Sequence, residues 1–335
     1  MIDPFSSTTH YTQAFIDGLM ALLDHHELGT WILVCANASS DGAMFKQFRP
    51  ALQRRFAELT ADNDLSASQE DLQVFKQLQK IGLDSIHPTK HHELHPWTIQ
   101  FNQLRSLKPL RIGQASNTDL HTAFDANGFN FNKPFMAKEC FWRGELEGRH
   151  VDLFYNKYPF ANLHGLLVPD RGDNKPQFLT EADHHFVAGL SCALDKSISG
   201  TGFGYNSIGA CASINHLHFQ MFTKDDRFPI NHDQWQHNGG SIAYPIPCHR
   251  FTQADAAWRF IESVHNDRQP YNVLYQADVI TVFTRKAQST TSGPDWSSGF
   301  TWHELAGSIV CFDQHAYQTL SAADIEQELG KLACD

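Results

Sequence analysis

The stretch Gly204-Tyr-Asn-Ser-Ile-Gly-Ala-Cys-Ala-Ser-Ile-Asn-His-Leu-His-Phe-Gln-Met-Phe222 belongs to a chain of 335 residues. From residue 214 to 222 its residues alternate between two sets, which predicts a β-strand. One face of that strand would carry His216, His218 and Gln220, while the other face would pack into a core. Side chains on one face of a strand stand roughly 6.5 to 7 Å apart, so a single phosphate group could contact all three.

Two imidazoles and a carboxamide in this pattern indicate nucleophilic catalysis at phosphorus. A neutral imidazole can attack phosphorus when its other ring nitrogen donates its proton to a fixed acceptor. We expect His218 to be the nucleophile, with Gln220 donating to a non-bridging phosphate oxygen, and both side chains to face a cleft. In a second interpretation these residues only line the wetter face of a half-exposed strand, since the chain contains 20 histidines.

The segment from Asn206 to Ser213 precedes the strand and consists mostly of small and polar residues. Small side chains allow backbone N–H groups to approach a phosphate closely. The candidate phosphate-binding residues of this segment are Asn206, Ser207, Gly209 and Ser213.

Composition and charge restrict the possible partners. Hydrophobic residues make up 41% of the chain, and the formal net charge is −11 at pH 7. This length suffices for two domains or for one large pseudo-symmetric unit. The acidic balance argues against nucleic-acid and anionic-membrane partners, which are bound by clustered Lys and Arg. A phosphate-bearing substrate would therefore need a local basic or amide-rich pocket.

The cysteines and the N-terminus predict a cytoplasmic protein. The seven cysteines include no Cys-x-x-Cys pair and favour reduced thiols over a disulfide framework. The first residues contain neither a basic nor an apolar region of a signal peptide. The longest apolar runs, such as residues 31–36 and 165–169, are the size of strands and too short to span a bilayer.

Helical spacing of apolar residues predicts helices over residues 11–27, 50–60 and 70–80, with Gly29 ending the first and Ser68 capping the third. A helix capped by Thr180 is predicted over residues 179–194, with His184 exposed in its first turn. The predicted strands cover residues 148–155, 163–169, 270–286 (as a hairpin) and 303–312.

His91 and His95 are four residues apart, which would suit a metal site on a helix. Pro88 and Pro96 flank them and make a regular helix doubtful. We therefore predict a solvated loop and no metal site.

The pattern His-x-His-x-Gln, preceded by Tyr-Asn-Ser-x-Gly, resembles the active-site signature of the transferase branch of the histidine-triad (HIT) superfamily. That branch includes galactose-1-phosphate uridylyltransferases, diadenosine tetraphosphate phosphorylases and GDP-hexose phosphorylases. The unbroken run from Ile214 to Gln220 is most similar to the GDP-hexose phosphorylases. The segment Asn156-Lys-Tyr-Pro159 is more similar to the diadenosine tetraphosphate phosphorylases. The resemblance covers about residues 97 to 330.

The resemblance implies an α+β, HIT-like fold with two related halves on a largely antiparallel sheet and flanking helices. The expected organisation is a helical N-terminal lead-in over residues 1–95, a catalytic half over 96–225 and a degenerate second half over 226–335. The second half lacks its own His-x-His-x-Gln pattern.

The resemblance also implies the reaction. His218 would attack the α-phosphorus of a nucleoside-diphosphate sugar, most simply a GDP-hexose, and inorganic phosphate would then release the nucleoside diphosphate. Gln220 would hold a non-bridging oxygen, His216 would shape or polarise the site, and Asn206 with Ser207 would contact phosphate. No cofactor is implied.

Basic residues near this strand are candidates for neutralising the remaining charge. Trp97 to Arg111 contains Arg105, Lys108 and Arg111, and it resembles a substrate-side strand of the GDP-hexose phosphorylases with the run Gln-x-Asn-x-x-Arg-x-x-Lys. Guanidinium groups suit diphosphate oxygens, although a solvated edge strand is the alternative. The further candidates are Lys133, at the end of Gly128-Phe-Asn-Phe-Asn-Lys133, and Lys157.

Three other functions are open at this point. A dinucleoside polyphosphate phosphorylase would use the same chemistry, and a uridylyltransferase is disfavoured because no Cys-x-x-Cys metal site is visible. A non-catalytic nucleotide-binding protein would not need an aligned nucleophile, so His218 and Gln220 favour an enzyme. The expected partners are a nucleotide sugar or dinucleotide and inorganic phosphate, and the sequence predicts no oligomeric state.

Overall fold

A computed structural model of the chain describes residues 3–62, 65–108, 119–290 and 293–334. Its α-helices are α1 (Thr8–Leu22), α2 (Leu28–Ala38), α3 (Gly42–Ala61), α4 (Gln69–Ile81), α5 (Gln103–Ser106), α6 (Glu181–Asp195), α7 (Ala254–Asn266), α8 (Trp302–Leu305), α9 (Gln314–Thr319) and α10 (Ala322–Gly330). Its strands are β1 (Lys90–Leu94), β2 (Trp97–Phe101), β3 (Cys140–Leu146), β4 (Arg149–Tyr155), β5 (Asn162–Pro169), β6 (Thr201–Asn206), β7 (Phe219–Thr223), β8 (Cys248–Phe251), β9 (Tyr271–Gln276), β10 (Val279–Thr284) and β11 (Ser308–Cys311).

Eight strands form one sheet in the order β3-β4-β5-β7-β6-β9-β10-β8, and every neighbouring pair is antiparallel. The chain order β5-α6-β6-β7 is repeated by β8-α7-β9-β10, and β6 pairs with β9 where the two units meet. Two topologically related units therefore share one continuous sheet. The predicted α+β fold with a largely antiparallel sheet is confirmed.

A second, smaller sheet has the order β1-β2-β11, in which β2 and β11 are parallel. β1 falls within the predicted helical lead-in of residues 1–95 but pairs with β2 beyond it. The proposed boundaries at residues 95 and 225 remain predictions.

The N-terminal helices differ from their predicted bounds: α1 ends at Leu22, before the predicted end at residue 27, and α3 begins at Gly42, before the predicted start at residue 50. The apolar run of residues 31–36 lies in α2 and is not a strand, and Gly29 lies inside that helix. α2 is buried over nearly its whole length, so its residues show no polar face that would reveal helical periodicity. The predicted cap of α4 is confirmed, because Ser68 Oγ accepts a hydrogen bond from the Asp71 N–H group at 3.1 Å.

Thr180 caps α6 as predicted, with its side chain accepting from the Asp183 N–H group at 3.2 Å. The expectation that His184 is exposed is wrong. Its ring is fully buried and lies 2.9 Å from the Tyr275 hydroxyl and 3.0 Å from the Ala254 carbonyl oxygen. α6 packs against both the sheet and α7, which covers the side of its first turn that carries His184.

The predicted strand over residues 303–312 is divided between α8 and β11. Thr301 and Glu304 form a capping box that starts α8, and such a box favours helix over strand at this point. Gly307, with a φ of 96°, separates the two elements.

The two faces of the large sheet have different neighbours. Leu217, Phe219 and Met221 join a core with α1, α2, α6 and α7. Phe222 faces the other way and packs with Trp302 and the small sheet. Within the described residues, no helix has the length and apolarity needed to cross a bilayer.

Candidate active site

The predicted strand from residue 214 begins only at Phe219, so His216 and His218 lie in the segment that leads into β7. That segment is held to residues 175–177. The Leu217 N–H group donates to the Lys175 carbonyl oxygen at 2.9 Å. The predicted alternation nevertheless persists, because Leu217 and Phe219 enter the helical-side core while both histidine rings contact Phe131 on the other side.

His218 has the geometry of a neutral nucleophile. Its Nδ1 atom lies 2.8 Å from the His216 carbonyl oxygen. A carbonyl oxygen can only accept, so Nδ1 carries the proton and Nε2 has the lone pair. Nε2 makes no hydrogen bond to any residue within the described ranges. Burial lowers the pKa of His218 to about 4, so the ring is neutral at pH 7.

His216 uses both of its ring nitrogens to hold the surrounding backbone. Nε2 donates to the Arg171 carbonyl oxygen at 3.2 Å, and Nδ1 accepts from the Phe131 N–H group at 3.2 Å. Burial lowers its pKa to about 4. A ring with both nitrogens engaged has no free lone pair for attack, so His216 shapes the site and supplies the carbonyl oxygen that orients His218.

The Gln220 side chain is half-buried and fixed at its carbonyl end. Gln220 Oε1 accepts a hydrogen bond from Trp302 Nε1 at 2.7 Å. The neighbouring His164 is completely buried, which lowers its pKa to about 3. Gln220 therefore lies on the face of the sheet that carries the two site histidines, as the sequence predicts.

Gln177 is a structural member of the site that the sequence did not reveal. Its Oε1 atom accepts from the His218 N–H group at 2.9 Å. Its Nε2 atom donates to the carbonyl oxygens of Asn206, at 3.0 Å, and of His218, at 3.2 Å. The Gln177 side chain therefore makes the hydrogen bonds to the His218 backbone that a neighbouring strand would otherwise make. It occurs in Lys175-Pro-Gln177, where no motif or periodicity marks it.

Asn206 and Ser207 are brought to the site, but their side chains hold the scaffold together. Asn206 Oδ1 accepts from Asn272 Nδ2 at 2.6 Å and from the Trp302 backbone N–H group at 3.1 Å. Ser207 Oγ accepts from the Tyr271 N–H group at 3.0 Å. These contacts tie the end of β6 to β9 and α8.

The backbone of the following loop offers better phosphate donors than those side chains. Gly209 has a φ of 82°, which glycine adopts readily, and Ser213 is exposed. The backbone N–H groups of residues 213–216 donate to no acceptor in the described part of the chain. Such a run of unpaired amides directly before Leu217 and His218 suits an anion.

Of the basic candidates, Arg105 lies close to His164. Its guanidinium carbon lies 4.9 Å from the centre of the Phe160 ring, and it interacts electrostatically with His164. Burial lowers the pKa of Arg105 to about 10, so it remains cationic at pH 7. Lys108 Nζ lies 5.1 Å from the centre of the Tyr158 ring. Arg111 lies outside the described residues.

Lys133 and Lys157 are engaged elsewhere. Lys133 Nζ donates to the carbonyl oxygens of Ala126, at 2.9 Å, and Asn127, at 3.2 Å, and so closes its own loop. Lys157 Nζ lies 2.6 Å from a carboxylate oxygen of the buried Asp71 in α4. Both ammonium groups therefore bind other parts of the chain and not His218.

Phe131 packs against both histidine rings. Phe131 is fully buried, and its ring centre lies 5.5 Å from that of His216 and 5.4 Å from that of His218. Two surface cavities, of about 340 and 320 Å³, are lined by other residues. Neither of these two cavities is the cleft that the sequence predicts for His218 and Gln220. Among the described residues, no group of three or more His, Cys, Asp or Glu side chains is arranged to hold a metal ion.

Comparison with known proteins points to one group of enzymes for the central region. The family model described as the GDPGP1-like N-terminal domain matches residues 94–222. GDP-D-glucose phosphorylase 1 of Danio rerio is 36% identical over 109 residues, which are 32% of this chain and 31% of that protein. GDP-L-galactose phosphorylase 1 of Arabidopsis thaliana is 29% identical over 150 residues, 40% of this chain and 33% of the relative. The chain thus spans about a third of the length of these curated relatives.

The fold is also similar to solved structures. Crystal structures of yeast Ap4A phosphorylase Apa2 include one with a TM-score of 0.51 and 16% identity, covering 73% of this chain and 86% of that chain. Its complex with Ap4A gives a TM-score of 0.50 and 15% identity, covering 80% of this chain and 99% of that chain. At this identity the likeness concerns the fold alone. The HIT-like fold and the resemblance of the central region to the GDP-hexose phosphorylases are confirmed.

Proposed function

We propose that this chain is a nucleotidyltransferase that cleaves a GDP-hexose with inorganic phosphate through a nucleotidyl-His218 intermediate. The observation that carries the proposal is the hydrogen bond from His218 Nδ1 to the His216 carbonyl oxygen. It leaves Nε2 as an unprotonated nitrogen on a neutral ring. The similarity of residues 94–222 to GDP-hexose phosphorylases supports the choice of substrate.

In the first step the lone pair of His218 Nε2 attacks the α-phosphorus of the nucleotide. The bond between that phosphorus and the bridging oxygen breaks, and hexose 1-phosphate leaves with the bonding electrons. The ring then carries the nucleotidyl group on Nε2 and a proton on Nδ1, so it becomes cationic. The His216 carbonyl oxygen already accepts from Nδ1 and stabilises this charge without a proton transfer.

In the second step an oxygen of inorganic phosphate attacks the same phosphorus atom. The bond from phosphorus to Nε2 breaks, the ring regains its lone pair, and GDP is released. Dividing the displacement between two steps lets each one use the same preorganised donors.

The charge on the reacting phosphate would be met by amide groups more than by lysines. The unpaired N–H groups of residues 213–216 and the NH₂ group of Gln220 lie on either side of His218 in sequence. Arg105 adds a positive charge close to His164. These groups suit a protein whose net charge is −11, because they form a local anion site without a basic surface.

We also propose that the reaction takes place in the cytoplasm. The proposal is supported by the seven free cysteines, since disulfides are rare in the reducing cytoplasm. Fractionation of cells that produce the full chain would test this location.

The function is tested by incubating the protein with GDP-glucose, UDP-glucose or Ap4A, each with and without inorganic phosphate. Separation of the products should show GDP and repeated turnover of GDP-glucose only when phosphate is present, whereas without phosphate at most one equivalent of glucose 1-phosphate per enzyme should be released. Turnover of Ap4A in preference to GDP-glucose would identify a dinucleoside polyphosphate phosphorylase instead. Binding of nucleotide without any product would identify a non-catalytic binding protein.

A further inference from the structure

Trp302 connects the second half of the chain to the reacting groups of the first. Its indole Nε1 atom lies 2.7 Å from Gln220 Oε1. The side chain is completely buried, and it belongs to α8, far from the His-x-His-x-Gln stretch in sequence. An indole N–H group can only donate, so the oxygen end of the Gln220 amide must face Trp302.

The indole is held in place from several directions. It stacks on Phe222, with ring centres 4.7 Å apart and an angle of 17° between the planes. Its backbone N–H group donates to Asn206 Oδ1 at 3.1 Å. A Cβ atom at Gly204 would lie 2.1 Å from the indole, so only glycine permits this approach to β6. Trp302 is therefore a rigid donor with a single available direction.

We propose that Trp302 is a positioning residue that fixes which end of the Gln220 amide faces the transferred phosphate. The two ends of a carboxamide have nearly the same shape but opposite hydrogen-bonding character. With the oxygen bound to the indole, the NH₂ end is presented to the phosphate oxygens. If the amide were flipped, its oxygen would face the phosphate oxygens, and the repulsion between them would slow the reaction. This inference rests on the proposed function.

The proposal also gives the second half of the chain a part in the reaction. That half has no His-x-His-x-Gln pattern of its own. Through Trp302 it determines the orientation of a side chain in the first half. The second half can therefore contribute to the site although it has no His-x-His-x-Gln pattern.

The test is a double-mutant cycle on the rate of nucleotidyl-enzyme formation. Trp302→Phe removes the donor and should slow this step about 10-fold in the otherwise unchanged protein, while the Kd for GDP stays nearly the same. In the Gln220→Ala background the same substitution should have no further effect, because the group that it orients is gone. An equal loss in both backgrounds would show that Trp302 has only a structural role and would overturn the proposal.

Trp97→Phe is the matched control. Trp97 is also completely buried, but its Nε1 atom has no hydrogen-bond partner among the described residues. It should therefore lose packing without slowing adduct formation. If adduct forms in the wild type but Trp302→Phe is as fast, the inference fails and the proposed function stands. If no nucleotide sugar labels the wild type, the proposed function fails and the inference falls with it.

A second measurement does not need the Trp302 variant to fold. The chain contains seven tryptophans, so its ¹H–¹⁵N spectrum should contain seven indole resonances. Gln220→Ala should shift one of them strongly, because it removes the acceptor of the Trp302 indole. A spectrum in which no indole resonance moves would show that the hydrogen bond is absent in solution and would refute the proposal.

Discussion

The Nδ1 atom of His218 lies 2.8 Å from the backbone oxygen of His216, and the direction of that hydrogen bond is fixed because a carbonyl oxygen cannot donate. The acceptor belongs to the main chain and not to the His216 ring. Substitution of the His216 side chain therefore keeps the acceptor, whereas substitution of His218 removes the attacking atom. The two histidines should respond differently to mutation.

His218→Ala should abolish both nucleotidyl labelling and turnover while GDP still binds, because the remaining donors are unchanged. Labelling with α-³²P GDP-glucose in the absence of phosphate, followed by peptide mapping, measures the adduct. The matched variant His216→Asn should still become labelled on residue 218, more slowly, because it loses the contacts to Phe131 and Arg171. Label found on another residue in the wild type would contradict the assignment of the nucleophile.

The rate of labelling should depend on pH through the lowered pKa of His218. Burial lowers that pKa from its usual value of 6.5 to about 4, so the ring remains neutral and nucleophilic well below pH 6. Single-turnover labelling should be nearly constant from pH 8 to 5 and should fall towards pH 4. A midpoint near 6.5 would mean that the ring is solvated in the working enzyme.

The lowered pKa of His218 also affects the free energy of unfolding, which must be measured at the same pH values as the labelling rate. Between pH 6.5 and 4 the unfolded chain binds a proton at His218 that the folded chain does not bind. The free energy of unfolding should therefore fall as the pH drops through this window. Urea titrations at each pH give the folded fraction by which the labelling rates are corrected.

Gln220→Ala should keep the site of labelling and slow its formation by about 10²- to 10³-fold, the usual effect of removing one donor to developing charge. The pH dependence of the remaining activity should be unchanged, because His218 keeps its surroundings. Rapid-quench kinetics would measure the step. A loss of less than about threefold would place Gln220 outside the group of donors that act in the transition state.

Gln177→Leu should lower stability and slow labelling together. The substitution leaves the buried N–H group of His218 without its acceptor, which costs about 1 to 3 kcal/mol. Asn37→Leu is a matched control, because Asn37 is also buried but donates to the carbonyl oxygens of Leu33 and Asn156 and does not contact the histidine segment. Equal labelling rates in the two variants, after correction for the folded fraction, would show that Gln177 has no role in positioning His218.

Local patterns were sufficient to predict several elements and the face that carries the site. Ser68 and Thr180 cap their helices as the sequence predicts, because a cap depends on residues only three positions away. The alternation around His218 also predicts which side chains share a face. It does so although the regular strand starts only at Phe219.

The remaining parts of the site depend on contacts between distant residues. Gln177 and Trp302 reach His218 and Gln220 across 41 and 82 positions of sequence, where no local spacing can reveal them. Distant contacts also engage the side chain of Asn206, which the sequence predicts to contact phosphate. A polar residue beside a small-residue loop suits an anion, but here its side chain binds Asn272 and the backbone of Trp302.

The pairing of β6 with β9 decides what would happen if the chain were cut in the long connection after β7. Residues 202–206 and 272–276 form five facing pairs at this junction, so each fragment would expose an open strand edge in place of a paired one. Open edges of this kind recruit other strands and promote aggregation. Fragments produced separately should therefore precipitate, whereas fragments produced together can satisfy each other's edges and reassemble, which makes this junction a natural place to build a split reporter of association.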